Sequence, residues 1–271
     1  MPYLTTSDNV RIYYEDVGGL GTPVVFTHGF GSGSRLWRYQ VPALKAAGYR
    51  PIIWDMRGHA QSDSPADARL YSKMKQVSDL KAVCDACGVR RAVFVGHSMG
   101  GYDMMLFQLK YPSYVAAWVL YATGPGFSKE KGWSNWNKSA ARMAKKYQDK
   151  GLGALVGSDK AMGHTDAKGL EHALRGNYTQ RRDDEFYMEF EEGPLVAAKR
   201  ITSFSTVPTA IVVGSRDKGF GRACDMMHAK IQGSVLMKIP NAGHMAAEKN
   251  PKEFNVILLS ALNHFFATAK L

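Results

Sequence analysis

Short β-branched and aromatic runs alternate with stretches of helical periodicity through the first half of the chain. Val10 to Glu15 alternates apolar and polar positions, the pattern of an edge strand. Pro23-Val24-Val25-Phe26-Thr27 is a continuous apolar run, as expected of a parallel strand buried on both faces. It ends at His28-Gly29-Phe30-Gly31. A helical segment around Leu36–Ala47 leads to a second run, Pro51-Ile52-Ile53-Trp54, which ends at Asp55-Met56-Arg57-Gly58. Tyr71 to Cys87 reads as a helix with Val77, Leu80 and Cys84 on one face. Ala92-Val93-Phe94-Val95 then runs into Gly96-His97-Ser98-Met99-Gly100-Gly101. A helix follows through Leu109, and Ala117–Tyr121 is the next strand. This β-α-β-α order predicts an α/β fold, with a mostly parallel sheet and helices on both faces.

The alternation stops between Gly124 and Ser203, where no strong strand run occurs. Trp133, Trp136, Ala140, Met143, Ala144 and Tyr147 recur there at helical spacing. Strand runs resume at Thr209–Val213 and Ser234–Ile239, and a last helix covers Phe254 to Ala267. The expected organisation is one main domain, residues 1–123 and 204–271, with a helical cap, residues 124–203, inserted over the strand ends.

Composition narrows the picture. The 271 residues suffice for one sizeable α/β domain with an insertion. No apolar run reaches the roughly 18–20 residues of a membrane span. The N-terminus shows no secretory signal, and Cys84, Cys87 and Cys224 are too few and odd in number for a disulfide framework. A cytoplasmic protein with reduced thiols is expected. Cys84 and Cys87 have no second Cys/His pair nearby to complete a zinc site, so no metal is expected. The net charge is +11, and residues 129–150 carry seven Lys/Arg against Glu130 and Asp149. No nucleic-acid motif accompanies that excess, so a solvated basic face is expected and neither nucleic acid nor stable membrane insertion is. A homodimer is allowed.

The chemistry lies where strands end, as ligands of open α/β sheets bind beyond the carboxyl ends of the strands. Gly96-His97-Ser98-Met99-Gly100 sits between a strand and a helix, the G-x-S-x-G nucleophile elbow. Glycines at both flanks let neighbouring backbone approach, so the serine is held on a strained turn. The following helix aims its N-terminus at the hydroxyl, which suits a developing oxyanion. A serine hydroxyl needs a base. His244, in Asn241-Ala242-Gly243-His244, follows the last strand run and can supply it. Asp217, in Gly214-Ser215-Arg216-Asp217, follows the preceding run and can orient the imidazole. The rival strand end, Ala122-Thr123-Gly124, offers no carboxylate. His97 adjoins the serine but is expected to point elsewhere. The N–H groups of Met99 and Phe30 are the expected oxyanion donors.

These stretches resemble the α/β-hydrolase superfamily, in particular its small cap-bearing esterase, lactonase and carbon–carbon hydrolase branch. The resemblance rests on H-G-F-G at 28–31, D-M-R-G-H-A-Q-S at 55–62, G-H-S-M-G-G at 96–101, G-S-R-D at 214–217 and N-A-G-H at 241–244. It implies the roles just given, and neither a metal nor an organic cofactor. Two departures stand out. Ala60 replaces a glycine in the second motif, and the loop after Asp217, Lys218-Gly219-Phe220-Gly221, lacks a proline frequent in relatives. Asp55 and Arg57 are expected to build a turn.

Relatives that open epoxides or displace halide carry an aspartate at the elbow, so Ser98 favours acyl transfer. Hydrolysis of a small ester or lactone substrate is the first expectation. Carbon–carbon hydrolysis with the same triad, perhydrolysis, a slow-turnover ligand receptor and a cofactor-free oxygenase are the alternatives. Trp133, Trp136, Met143 and Tyr147 either line an apolar substrate pocket or pack the cap onto the main domain.

Overall fold

The computed structural model describes residues 3–155, 166–179, 184, 199–201 and 207–268. Among these residues eight strands form one sheet: β1 (Tyr3–Thr5), β2 (Arg11–Asp16), β3 (Pro23–Thr27), β4 (Arg50–Trp54), β5 (Ala92–His97), β6 (Val115–Tyr121), β7 (Thr209–Gly214) and β8 (Val235–Ile239). Their spatial order is β1-β2-β4-β3-β5-β6-β7-β8. The β1–β2 and β2–β4 pairs are antiparallel, and the remaining five pairs are parallel. The expected edge strand is therefore second from the edge. Tyr3-Leu4-Thr5, too short to stand out in the sequence, pairs along β2 and takes the edge.

The continuous apolar runs serve two cores at once. Val25, Phe94, Trp118, Leu120 and Ile211 face one layer, with the helices α2 (Lys73–Ala86) and α3 (Met99–Lys110). Their neighbours Val24, Phe26, Val93, Val95, Val119 and Val212 face the other, with α1 (Gln40–Ala46). Alternate residues of a strand point to opposite faces, so a strand covered on both sides has no polar face to show.

Helix α4 (Glu130–Lys150) and helix α5 (Ala167–Ala173) lie between β6 and β7 in the chain and pack on each other. A π turn, Leu174–Tyr178, continues α5. Much of the expected insertion, residues 156–165, 180–183, 185–198 and 202–203, lies outside the described residues. Helices α6 (Gly221–Lys230), α7 (Ala246–Lys249) and α8 (Pro251–Thr268) complete the main layers. Among the described residues, no helix is long and apolar enough to cross a membrane.

The strand order reverses between β3 and β5: β4 lies on one side of β3, and the chain then crosses back to β5 on the other. Such a switch point opens a crevice at the strands' carboxyl ends. Thr27 pairs with Gly96 there, so the loop after β3 and the turn after β5 leave the sheet side by side.

Candidate active site

Ser98 stands on the β5–α3 turn with φ 53° and ψ −117°, a left-handed backbone that a non-glycine residue rarely adopts. Its surroundings hold the strain. The Ser98 N–H donates to the Tyr121 carbonyl at 3.0 Å, and the Ser98 carbonyl accepts from the Thr123 hydroxyl at 2.6 Å. A Cβ on Gly100 would collide with the His28 and Thr27 carbonyls. Glycine there lets α3 start against the β3 loop. The side chain of Ser98 is buried, and the helix begins at Met99, whose N–H is among the first-turn donors that lack an acceptor within the helix.

Gly29 approaches the same turn. A Cβ there would lie 3.1 Å from the Ser98 Cβ and 2.8 Å from the His97 Nδ1. His28 fixes this loop from below. Its Nε2 accepts the Met56 N–H at 3.0 Å, so Nδ1 carries the proton and donates to the Gly29 carbonyl at 2.8 Å. The Phe30 ring packs at 5.4 Å from Tyr178 and 6.1 Å from Tyr147.

His244 follows β8 and faces Asp217 after β7, with 2.8 Å between Nδ1 and Oδ2. A carboxylate accepts only, so Nδ1 carries a proton, and in the neutral imidazole the lone pair is left on Nε2. Asp217 also accepts the N–H groups of Gly219 at 2.9 Å and Phe220 at 3.1 Å through Oδ1. Burial pushes this carboxyl up, but the hydrogen bonds from His244 and the loop outweigh it and hold Asp217 below the usual carboxylate range.

Two neighbours of His244 escape the sequence reading. The Phe220 ring stacks on the imidazole, with centroids 5.1 Å apart and planes 18° from parallel. His97, expected to point elsewhere than the serine it adjoins, packs against His244 at 4.5 Å, and its Nε2 donates to the His244 carbonyl at 3.0 Å. The Tyr121 hydroxyl donates to the same carbonyl at 2.7 Å. The backbone of the His244 loop is thus tied to the nucleophile turn.

A cavity of about 130 Å³ opens on Ser98 and Met99. Tyr102, Phe127, Trp136, Tyr178 and Phe220 form most of its apolar wall, and Lys73 reaches it as well. Of the four expected pocket residues, Trp136 lines this cavity and hydrogen-bonds the Tyr178 carbonyl at 2.9 Å. Trp133, Met143 and Tyr147 are outside the lining. Met143 and Tyr147 pack against the core, and Tyr147 reaches the site through Phe30. Trp133 is half-buried.

Asp55 and Arg57 do build the turn. Asp55 accepts the N–H groups of Ser34 at 2.5 Å and Gln61 at 3.1 Å. Arg57 makes a two-pronged contact with buried Asp79, both distances 2.6 Å, and reaches Asp8 at 2.9 Å. Ala60 takes φ 45°, the left-handed conformation that explains the glycine at that place in the resemblance. Cys84, Cys87 and Cys224 are all buried, and their thiols are pushed up by that burial.

A doubly covered parallel sheet, a strained serine at its switch point and a histidine–aspartate pair on the last strand ends define the class of α/β hydrolases. The family model described as "alpha/beta hydrolase fold" matches residues 22–251, and the chain belongs to that family. An epoxide hydrolase of Caballeronia sordidicola is 46% identical over 82 residues, which are 30% of this chain and 25% of that protein. The chain thus covers a quarter or less of the first epoxide hydrolases it matches. A Bacillus subtilis (strain 168) protein named for 2-succinyl-6-hydroxy-2,4-cyclohexadiene-1-carboxylate synthase activity is 26% identical over 94% of this chain and 96% of its own. Among solved structures, one from a study of carboxylesterases of the thaumarchaeon Nitrososphaera gargenis superposes with TM-score 0.81. It covers 99% of this chain and 100% of that one at 21% identity, a likeness of fold.

Proposed function

We propose that this chain is a serine hydrolase that cleaves a small carboxylic ester or lactone through an acyl-enzyme. One observation carries the reading: His244 Nδ1 donates to Asp217 at 2.8 Å, on a loop tied through His97 and Tyr121 to the turn that holds Ser98. That tautomer leaves Nε2 as the base. It takes the Ser98 proton as Oγ attacks the carbonyl carbon, then delivers it to the leaving oxygen as the carbon–oxygen bond breaks. Asp217 stays ionised and stabilises the imidazolium. The N–H groups of Met99 and Phe30 take the oxyanion, each donor being worth about 3 kcal/mol in the transition state. Water, activated by the same imidazole, then releases the acid. The helices between β6 and β7 act as a cap that sets the acyl pocket through Trp136 and Tyr178.

Ser98 in place of an elbow aspartate argues against epoxide opening, although the epoxide hydrolases share part of the sequence. The test is p-nitrophenyl acetate and butyrate turnover by wild type and Ser98→Ala, with a p-nitrophenyl phosphonate to label the nucleophile. Multiple turnovers that vanish in Ser98→Ala, and a label on Ser98, are expected. A single slow burst would instead mark a receptor, and oxygen consumption that survives Ser98→Ala would mark an oxygenase.

A further inference from the structure

Helix α2 carries a charge where its pattern calls for an apolar residue. Lys73, Val77, Leu80 and Cys84 fall on one stripe of the helix, and all four are buried. Lys73 also lies in the first turn, where the helix dipole disfavours a cation. On α3, Asp103 sits in the run from Met99 to Gln108, every residue of which is buried. The two charged side chains meet at 2.8 Å, 1% and 2% exposed. Such a pair contributes little to stability, because replacing it with apolar side chains of similar size is often neutral or better. Its position is the informative feature: Lys73 is the one charged residue among the described residues that line the cavity at Ser98. The ammonium also lies over the Tyr102 ring, at 5.1 Å, and Tyr102 lines the same cavity.

Asp103 Oδ1 takes one of the three ammonium donors of Lys73. The local charge balance says what the others suit. Asp103 already neutralises Lys73, one carboxylate against one ammonium. An anionic group entering here would meet the Asp103 carboxylate as well as the ammonium. A neutral oxygen acceptor meets a donor without that repulsion. From this juxtaposition of Lys73, Asp103 and the Ser98 cavity we infer that the preferred substrate carries, on its acyl chain, an uncharged oxygen acceptor such as a ketone, which Lys73 binds while the ester carbonyl sits at Ser98. The cavity is small against the roughly 300 Å³ or more of sites for drug-sized ligands, so the chain between the two carbonyls is short. The inference rests on the acyl-transfer reading above.

The test compares p-nitrophenyl 4-oxopentanoate, p-nitrophenyl 4-methylpentanoate and the p-nitrophenyl half-ester of succinic acid. Wild type should favour the oxo ester over the methyl ester by about tenfold or more in kcat/KM, the worth of one charge-assisted hydrogen bond, and should favour the half-ester least. Lys73→Met/Asp103→Leu removes both charges together and should bring the oxo-to-methyl ratio to within about twofold of one. Asp103→Asn keeps the ammonium and removes its counter-charge, so the half-ester should gain at least about tenfold relative to the methyl ester. Equal rates for the oxo and methyl esters in wild type, a half-ester preferred over the oxo ester, or an unchanged ratio in the folded double variant would each overturn the inference and leave the acyl-transfer reading standing. The wild-type comparison decides even where a variant does not fold. No Ser98-dependent turnover of any of the three would overturn both.

Discussion

His244 takes its chemistry from what each of its atoms touches. Nδ1 is committed to Asp217, the ring lies against Phe220 and His97, and the carbonyl takes two donors. If Ser98 and His244 work as one unit, either alanine substitution should lower the kcat of ester hydrolysis by about 10⁴-fold or more, and the double variant little further. Losses that multiply in steady-state kinetics would refute the unit. Asp217→Asn should cost at least about 10³-fold, because the amide no longer selects the productive tautomer. Phe220 is a positioning residue in this account. Phe220→Ala frees the ring, so kcat should fall about tenfold, with the pH–rate profile displaced while the melting temperature moves little. A fall in stability with an undisplaced profile would make Phe220 a packing residue only. The proposed triad residues are legible in the sequence because each follows an apolar run. Phe220 is not, because a ring contact between two loops has no sequence period. Lys73 did leave a signal, a lysine in phase with Val77, Leu80 and Cys84, which a search for catalytic motifs passes over.

At the level of elements, the runs Pro23–Thr27, Pro51–Trp54, Ala92–Val95 and Ala117–Tyr121 declare themselves as strands because burial on both faces leaves no room for polar residues. β1 does not, having three residues with only Leu4 partly buried. The helix stripe of Trp133, Trp136, Met143 and Tyr147 is legible as a stripe, but its division between pocket and core depends on Phe30 and Tyr178, from distant parts of the chain. Arg57 shows how a motif residue can serve the elements rather than the reaction. It ties the turn after β4 to α2 through Asp79 and to the β1–β2 connection through Asp8. Arg57→Ala leaves Asp79 buried without its partner and should cost about 3–5 kcal/mol, read as a lower denaturant midpoint. The folded fraction should keep its kcat within about threefold. A kcat loss on the scale of Ser98→Ala, with stability intact, would put Arg57 in the reaction.

For the whole molecule, the same links set the response to acid. Burial raises the Asp8 carboxyl, but hydrogen bonds from Arg57, Thr6 and Lys75 outweigh it and hold it well below its ordinary 3.8. The Asp16 carboxyl is held down first by Arg50, against some desolvation. A carboxyl whose folded value lies below its unfolded one binds its proton more tightly when unfolded. Its contribution to stability is therefore complete above the unfolded value and is lost as pH falls towards the folded one. Other groups titrate too, and burial pushes Asp103 the opposite way, so the clean measurement is a difference between two proteins. Asp8→Asn should be less stable than wild type by about 1–2 kcal/mol at pH 6, the scale of a hydrogen bond to a charged partner. The gap should hold down to about pH 4.5 and close progressively below pH 4, where wild type begins to take up the proton that asparagine never needs. Urea midpoints at half-unit pH steps would show the two curves converging. A gap that stays constant to pH 2.5 would mean that the Asp8 carboxyl titrates alike in folded and unfolded chains, and that the link from the N-terminal strands to Arg57 holds no ionic energy.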